Sequence, residues 1–204
     1  MTDLVLTYFD FDGGRGEPAR LAMHIGNIEF TDKRFPMAEF EEVRKGTPLG
    51  QVPTLLVDER QVTQGNAINR YVGKLAGLYP EDAYQALLCD EVMEGIDDLL
   101  NSLVRTFGLE GEALKEAREA FVAGPVVRYL AWLEKNLAQS GGEFFADGRL
   151  TLADLKVFVL VSSLGGGQLE HIPVDVVDTI APALSEHHQR IGQTAAITDY
   201  YAGR

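Results

Sequence analysis

The stretch from Gly50 to Tyr71, GQVPTLLVDERQVTQGNAINRY, constrains the fold of this chain more than any other. Thr54-Leu55-Leu56-Val57 is short, apolar and β-branched at both ends, the composition of a buried strand. Asp58 to Gln61 is polar enough to turn, and Gln61-Val62-Thr63 can return as a second strand. Ala67, Ile68, Tyr71, Val72 and Leu75 then share one helical face, which Gly77 terminates. A hairpin therefore runs into a helix N-terminus, where unpaired N–H groups and the helix dipole favour an anion. Pro53, at the head of the first strand, cannot donate to a ladder. On spacing alone the plainer reading is an edge strand opening with a trans Pro53. The alternative is a cis Val52–Pro53 peptide whose neighbouring backbone pairs with something other than a strand.

Upstream, Leu4 to Tyr8 is a strand candidate ending at Asp10, and Asp12-Gly13-Gly14-Arg15-Gly16 is a loop. Pro18 suits the first turn of a helix that carries Ala19, Ala22, Met23 and Ile25 and stops at Gly26. Ile28-Glu29-Phe30 reads as a second strand, and Phe35 to Lys45 as a short charged helix or loop. The order is β-α-β-α-β-β-α, a small α/β unit. The glycine loop lacks the spacing of a nucleotide fingerprint, so its glycines read as a strand-to-helix turn that needs positive φ. Arg15 stands out because it sits at a helix N-terminus beside the end of the first strand.

Leu78 to Asp82 breaks the pattern and reads as a linker, after which the chain changes character. Of the formal charge of -13, the first eighty residues carry -2 and the remainder -11. Ala83 to Val104 has a helical apolar stripe. Ala113 to Leu137 is helical too, with a kink or break expected at Gly124-Pro125. Thr151 and Asp154 have the spacing of a capping box, with Leu150 and Leu155 placed as a hydrophobic staple, opening an almost wholly apolar helix. Pro173 to Ile180 and Ala183 to Ile191 read as two further short helices.

The acidic balance disfavours nucleic acid and anionic membranes as partners. The single cysteine, Cys89, excludes an intramolecular disulfide and fits a reducing, cytoplasmic setting. No run approaches a membrane span. His171, His187 and His188 lack metal-ligand spacing and read as surface or capping residues; His24 reads as packing. No Ser-His-Asp, Walker or paired-carboxylate arrangement is present.

Taken together, Leu6-Thr7-Tyr8-Phe9, Gly14 to Arg20, Gly50-Gln51-Val52-Pro53, Gln64 with Ala67-Ile68 and Arg70-Tyr71, Glu94 to Leu99, and Leu152-Ala153-Asp154 resemble, in order and spacing, the cytosolic glutathione transferases, in particular the tyrosine-type, sigma-like branch. The resemblance implies an α/β thioredoxin-like N-terminal domain over residues 1–77, a linker over 78–82, and an all-α domain over 83–204 that contributes the electrophile site.

The resemblance also implies roles for individual residues. Tyr8 is then the catalytic tyrosine whose hydroxyl donates to the glutathione sulfur, and Arg15 adds positive potential beside it. Pro53 is then cis, which leaves the Val52 N–H and C=O to pair with the cysteinyl backbone of glutathione. Gln51, Gln64 and Gly65 hold the peptide and its γ-glutamyl end. Phe40 and Arg44 meet the glycyl carboxylate, which an Arg can bind with two donors. Asp98 reaches across a homodimer interface to the neighbouring subunit's glutathione. Glutathione is a co-substrate and no metal is implied. The expected activity is attack of the thiolate on hydrophobic electrophiles, as in detoxification, with isomerase or peroxidase activity related to it. A catalytically silent binding or structural protein on the same fold, as in lens crystallins, is the alternative. The sequence departs from the family at Gly65, where Ser is usual, in a loop after Tyr8 that is one residue longer, and at Leu49, where some classes place the aromatic key of the dimer lock.

Overall fold

In the computed structural model, which describes residues 3–203, β1 spans Leu4–Phe9 with Leu4, Leu6 and Tyr8 buried and the alternate residues half-covered. The helix α1 (Glu17–Ile25) carries the chain back so that β2 (Thr31–Phe35) lies parallel to β1. After a run of short helical turns, among them α2 (Phe40–Val43), the hairpin β3 (Thr54–Val57) and β4 (Arg60–Thr63) leads into α3 (Gly65–Leu75). The sheet order is β2-β1-β3-β4, with β3 antiparallel to both neighbours.

Three expectations shift against this frame. The second strand is Thr31–Phe35 and not Ile28–Phe30. Asn27 is left-handed (φ 50) and the Ile28 N–H donates to the Met23 carbonyl at 2.8 Å, so these residues finish the helix. The real strand is charged: Asp32 accepts from Arg20 Nε at 3.0 Å and from Arg34 Nε at 2.7 Å, so a search for apolar alternation passes over it. Secondly, β3 lies between β1 and β4, which removes the edge-strand reading of Pro53; the proline stands one residue before the strand, and the Val52–Pro53 bond is cis. Thirdly, α3 buries Asn66, Ile68, Asn69, Val72 and Gly73, and leaves Tyr71 and Leu75 exposed. Two asparagines occupy positions that an apolar search assigns outward.

The chain divides into two units, Met1–Tyr79 with Ala195–Arg204, and Pro80–Thr194. The tail is a helix, α10 (Ala195–Ala202), to be numbered after the helices of the second unit, and it packs on α1.

The second unit is helical. The first of its helices, α4 (Ala83–Val104), is capped by the Asp82 carboxylate, which accepts from the Tyr84 and Gln85 N–H groups at 3.0 Å each. The expected break at Gly124-Pro125 is a π-helical turn, Val122–Val126, which joins α5 (Gly111–Phe121) to α6 (Val127–Gln139) and accommodates a proline that has no N–H. The central helix α7 (Leu152–Gly165) is buried over nearly its whole length and opens on the capping box of Thr151 and Asp154. Asp154 does more than cap: it accepts from the Phe145 N–H at 3.0 Å and the Thr151 N–H at 2.8 Å, and lies 3.0 Å from His187 Nε2. His187, on α9 (Pro182–Gly192) after α8 (Val176–Ile180), is therefore a core residue and not a surface one. Cys89 is buried, and burial pushes its thiol up to about 11. Among the described residues no helix is long and apolar enough to cross a membrane.

Candidate active site

The antiparallel registers set Thr7 opposite Thr54 and Thr54 opposite Thr63. The next residue along each strand direction is Tyr8, Pro53 and Gln64, so these three form a row across one end of the sheet. Sequence reasoning named all three, and the sheet brings them together.

Tyr8 is 5% exposed, with its ring held against the loop that follows it. A Cβ on Gly16 would lie 2.5 Å from the Tyr8 ring carbons, and one on Gly14 would collide with the Tyr8 hydroxyl. Gly13 and Gly14 do have positive φ (123° and 63°), as the sequence suggested. Gly16 has ordinary helical angles and is required for lack of space. The loop is a seat for an aromatic ring. It holds Arg15 at the ring, with the Arg15 backbone N–H donating to the Tyr8 hydroxyl at 2.9 Å.

Burial raises the Tyr8 phenol above its ordinary pKa, against the opposing pull of the Arg15 N–H and of the Arg15 and Arg20 charges. A phenol is protonated at neutral pH in any case, so its O–H can donate. Accepting from Arg15 polarises it further in that direction.

Beyond Tyr8, Phe9 links the strand end to Phe40, with ring centroids 5.1 Å apart. Arg44 lies over the Phe40 ring at 5.1 Å and pairs with Glu41 at 3.1 Å. Arg44 is exposed, as are Gln51 and Gln64. Among the described residues neither the N–H nor the C=O of Val52, in the bend that precedes β3, enters a backbone hydrogen bond, so the backbone polar groups of one residue stand open beside the cis proline.

Gln64 caps α3 with φ 76 and ψ 109, a left-handed conformation unusual for a residue with a side chain, at a cost of roughly 1–3 kcal/mol. That turn places Gly65 at the first position of α3, where backbone N–H groups lack intrahelical partners. A Cβ on Gly65 would meet only the Arg15 carbonyl oxygen, at 3.9 Å. The backbone of Arg15 thus touches Tyr8 on one side and approaches the start of α3 on the other. Asp98 lies exposed on α4, in the second unit.

Sequence reasoning missed the support beneath Tyr8. Glu17 and Arg20 are both fully buried and paired at 3.2 Å. Their i,i+3 spacing was visible, but on an exposed helix face the same spacing is commonplace. Arg20 also donates to the Phe9 and Phe11 carbonyls at 3.0 and 3.1 Å, fixing the chain just past Tyr8.

One end of the sheet thus combines open backbone groups at Val52, an anion-favouring helix start, a phenolic hydroxyl and an arginine on an aromatic ring. Such a set suits an extended, anionic, peptide-like molecule. Among the described residues no group of three or more His, Cys, Asp or Glu side chains is placed to hold a metal ion.

Known proteins share the sequence pattern and the fold of this chain. A family model described as the glutathione S-transferase N-terminal domain matches residues 4–74, and one described as the C-terminal domain matches residues 97–204. Over 210 residues the chain is 30% identical to glutathione S-transferase 3 of Caenorhabditis elegans, covering 100% of this chain and 98% of that one. The solved structure of prostaglandin synthase D from Nilaparvata lugens superposes with a TM-score of 0.87 at 27% identity, covering 99% of this chain and 98% of the other. A monomeric glutathione S-transferase of the hookworm Necator americanus shares the fold with a TM-score of 0.84 at 24% identity, over 99% and 97% of the two chains.

Proposed function

The chain belongs to the glutathione S-transferase family and is a glutathione transferase, and from that premise we propose that Tyr8 activates the glutathione thiol for attack on a hydrophobic electrophile. The observation that carries this reading is the buried Tyr8 hydroxyl at the end of the sheet, which accepts from the Arg15 N–H at 2.9 Å. A donor to the sulfur favours the thiolate over the thiol and lowers its pKa. The thiol proton leaves to solvent. The thiolate then forms the S–C bond, and the electrophile either releases its leaving group or takes up a proton.

The remaining residues bind and orient. The open N–H and C=O of Val52, beside Pro53, pair with the cysteinyl backbone in the manner of an added strand. Gln51, Gln64 and the Gly65 N–H engage the peptide and the γ-glutamyl carboxylate, while Arg44, steadied on Phe40, meets the glycyl carboxylate. Arg15 supplies positive potential near the sulfur.

A cytoplasmic homodimer engaged in detoxification is the setting we propose. Exposed Tyr71 and Leu75 on α3, and exposed Tyr84 and Leu87 on α4, support a second copy as partner. In that dimer Asp98 completes the neighbouring subunit's glutathione site.

Conjugation of glutathione to a generic aryl halide, measured together with retention on immobilised glutathione, tests this reading. Turnover with retention is expected. Retention without turnover on any electrophile or hydroperoxide would instead indicate a silent binding protein, and neither would overturn the site.

A further inference from the structure

We propose that Tyr200, on the C-terminal helix α10, is a positioning residue for Tyr8 and acts through the buried pair of Glu17 and Arg20. The inference rests on Tyr8 as the thiol-activating group and adds a residue 192 positions away in sequence. The Tyr200 hydroxyl donates to Glu17 Oε1 at 2.9 Å in a fully buried setting. The other carboxylate oxygen, Oε2, faces Arg20 Nη1 at 3.2 Å. The Arg20 guanidinium then fans out, with Nη2 donating to the Phe9 carbonyl at 3.0 Å, Nη1 to the Phe11 carbonyl at 3.1 Å, and Nε to Asp32 Oδ1 at 3.0 Å. Its Cζ lies 5.6 Å from the centre of the Tyr8 ring. A short chain of contacts therefore leads from the last helix to the backbone just past Tyr8 and to the Tyr8 ring.

The energetic reason is the cost of a buried charge. Glu17 and Arg20 have no exposed surface, so each depends on its protein partners. Tyr200 takes up one oxygen of Glu17. Without that hydroxyl the carboxylate charge falls more heavily on Arg20 and draws it from the Phe9 and Phe11 carbonyls. Asp32 faces the guanidinium on its other side and is shared with Arg34, which reaches Asp32 at 2.7 Å, Asp12 at 3.4 Å and Asp10 at 3.6 Å. A shift of Arg20 toward Glu17 makes the potential at Tyr8 more negative, which disfavours a thiolate beside it. The Tyr200 ring also packs on His24 of α1, so removing only its oxygen leaves the helix docked.

The test compares the wild-type chain with Tyr200→Phe in two measurements. The first is hydrogen exchange of the Phe9–Gly16 loop against β3 as an internal reference. The second is the pH profile of aryl halide conjugation, with KM for glutathione. We expect faster exchange in the loop with β3 unchanged. The acid limb should move to higher pH by about half a unit to one unit, a loss of about three- to tenfold in rate on that side, with KM within about twofold. An unmoved acid limb, or exchange that rises equally in the loop and in β3, would overturn the proposal, because either leaves Tyr200 a purely structural residue. A wild-type chain without conjugating activity would defeat the proposed function instead, and the exchange comparison would still decide whether Tyr200 holds the loop.

Discussion

The Arg15 backbone N–H donates to the Tyr8 hydroxyl at 2.9 Å. This bond exists because two glycines let the loop close over the ring. Arg15 is thereby fixed by its backbone, whatever its guanidinium does.

Gly16→Ala tests that closure. The added Cβ would stand 2.5 Å from the Tyr8 ring, so ring or loop must move. A displacement of about 1 Å costs about 10²-fold in rate, and kcat/KM for conjugation should fall by that order while circular dichroism stays native. Wild-type kcat/KM in this variant would mean that the loop has slack that the structure does not show.

Gly65→Ser should tighten glutathione binding. The new side chain has room, its Cβ meeting only the Arg15 carbonyl oxygen at 3.9 Å, and its hydroxyl adds a donor to the γ-glutamyl carboxylate. A hydrogen bond to a charged group contributes about 1.5–3 kcal/mol, or about tenfold or more in Kd. Calorimetric titration reads this directly. Unchanged or weaker binding would show that the carboxylate does not sit at the start of α3.

Asp154→Ala should destabilise the helical unit by about 3–5 kcal/mol, because it strands the Phe145 and Thr151 N–H groups and removes the partner of buried His187. The urea midpoint should drop with the slope retained. A loss under about 1 kcal/mol would contradict the role of Asp154 as the shared acceptor.

Much of this was legible in the sequence. The hairpin from Thr54, the start of α4 at Ala83 and the capping box at Thr151 and Asp154 were readable from local spacing, because local hydrogen bonding decides them. Strand β2 was not, since its half-buried residues, Asp32 and Arg34, are charged and are partnered by each other and by Arg20 of α1, leaving Phe35 as its one buried apolar residue. Nor was the packed face of α3, where Asn66 and Asn69 turn inward. His187 looked like a surface residue until Asp154 supplied its partner from a distant helix. At the site, Tyr8, Pro53 and Gln64 could be named one by one, and the sheet register shows why they meet. The layer beneath them, Glu17, Arg20 and Tyr200, depends on long-range burial that no local pattern encodes.

The most direct measurement is the ultraviolet titration of the thiolate of bound glutathione in the wild type and in Tyr8→Phe, followed with turnover. In the wild type the bound thiol should ionise well below the roughly 8.5 of a free cysteine thiol. In Tyr8→Phe its pKa should climb back toward that value and kcat fall by roughly 10²–10³, the typical loss for one preorganised donor, while glutathione affinity stays within about threefold. Identical titration curves and identical turnover in the two proteins would contradict the assignment of Tyr8 as the group that makes the thiolate.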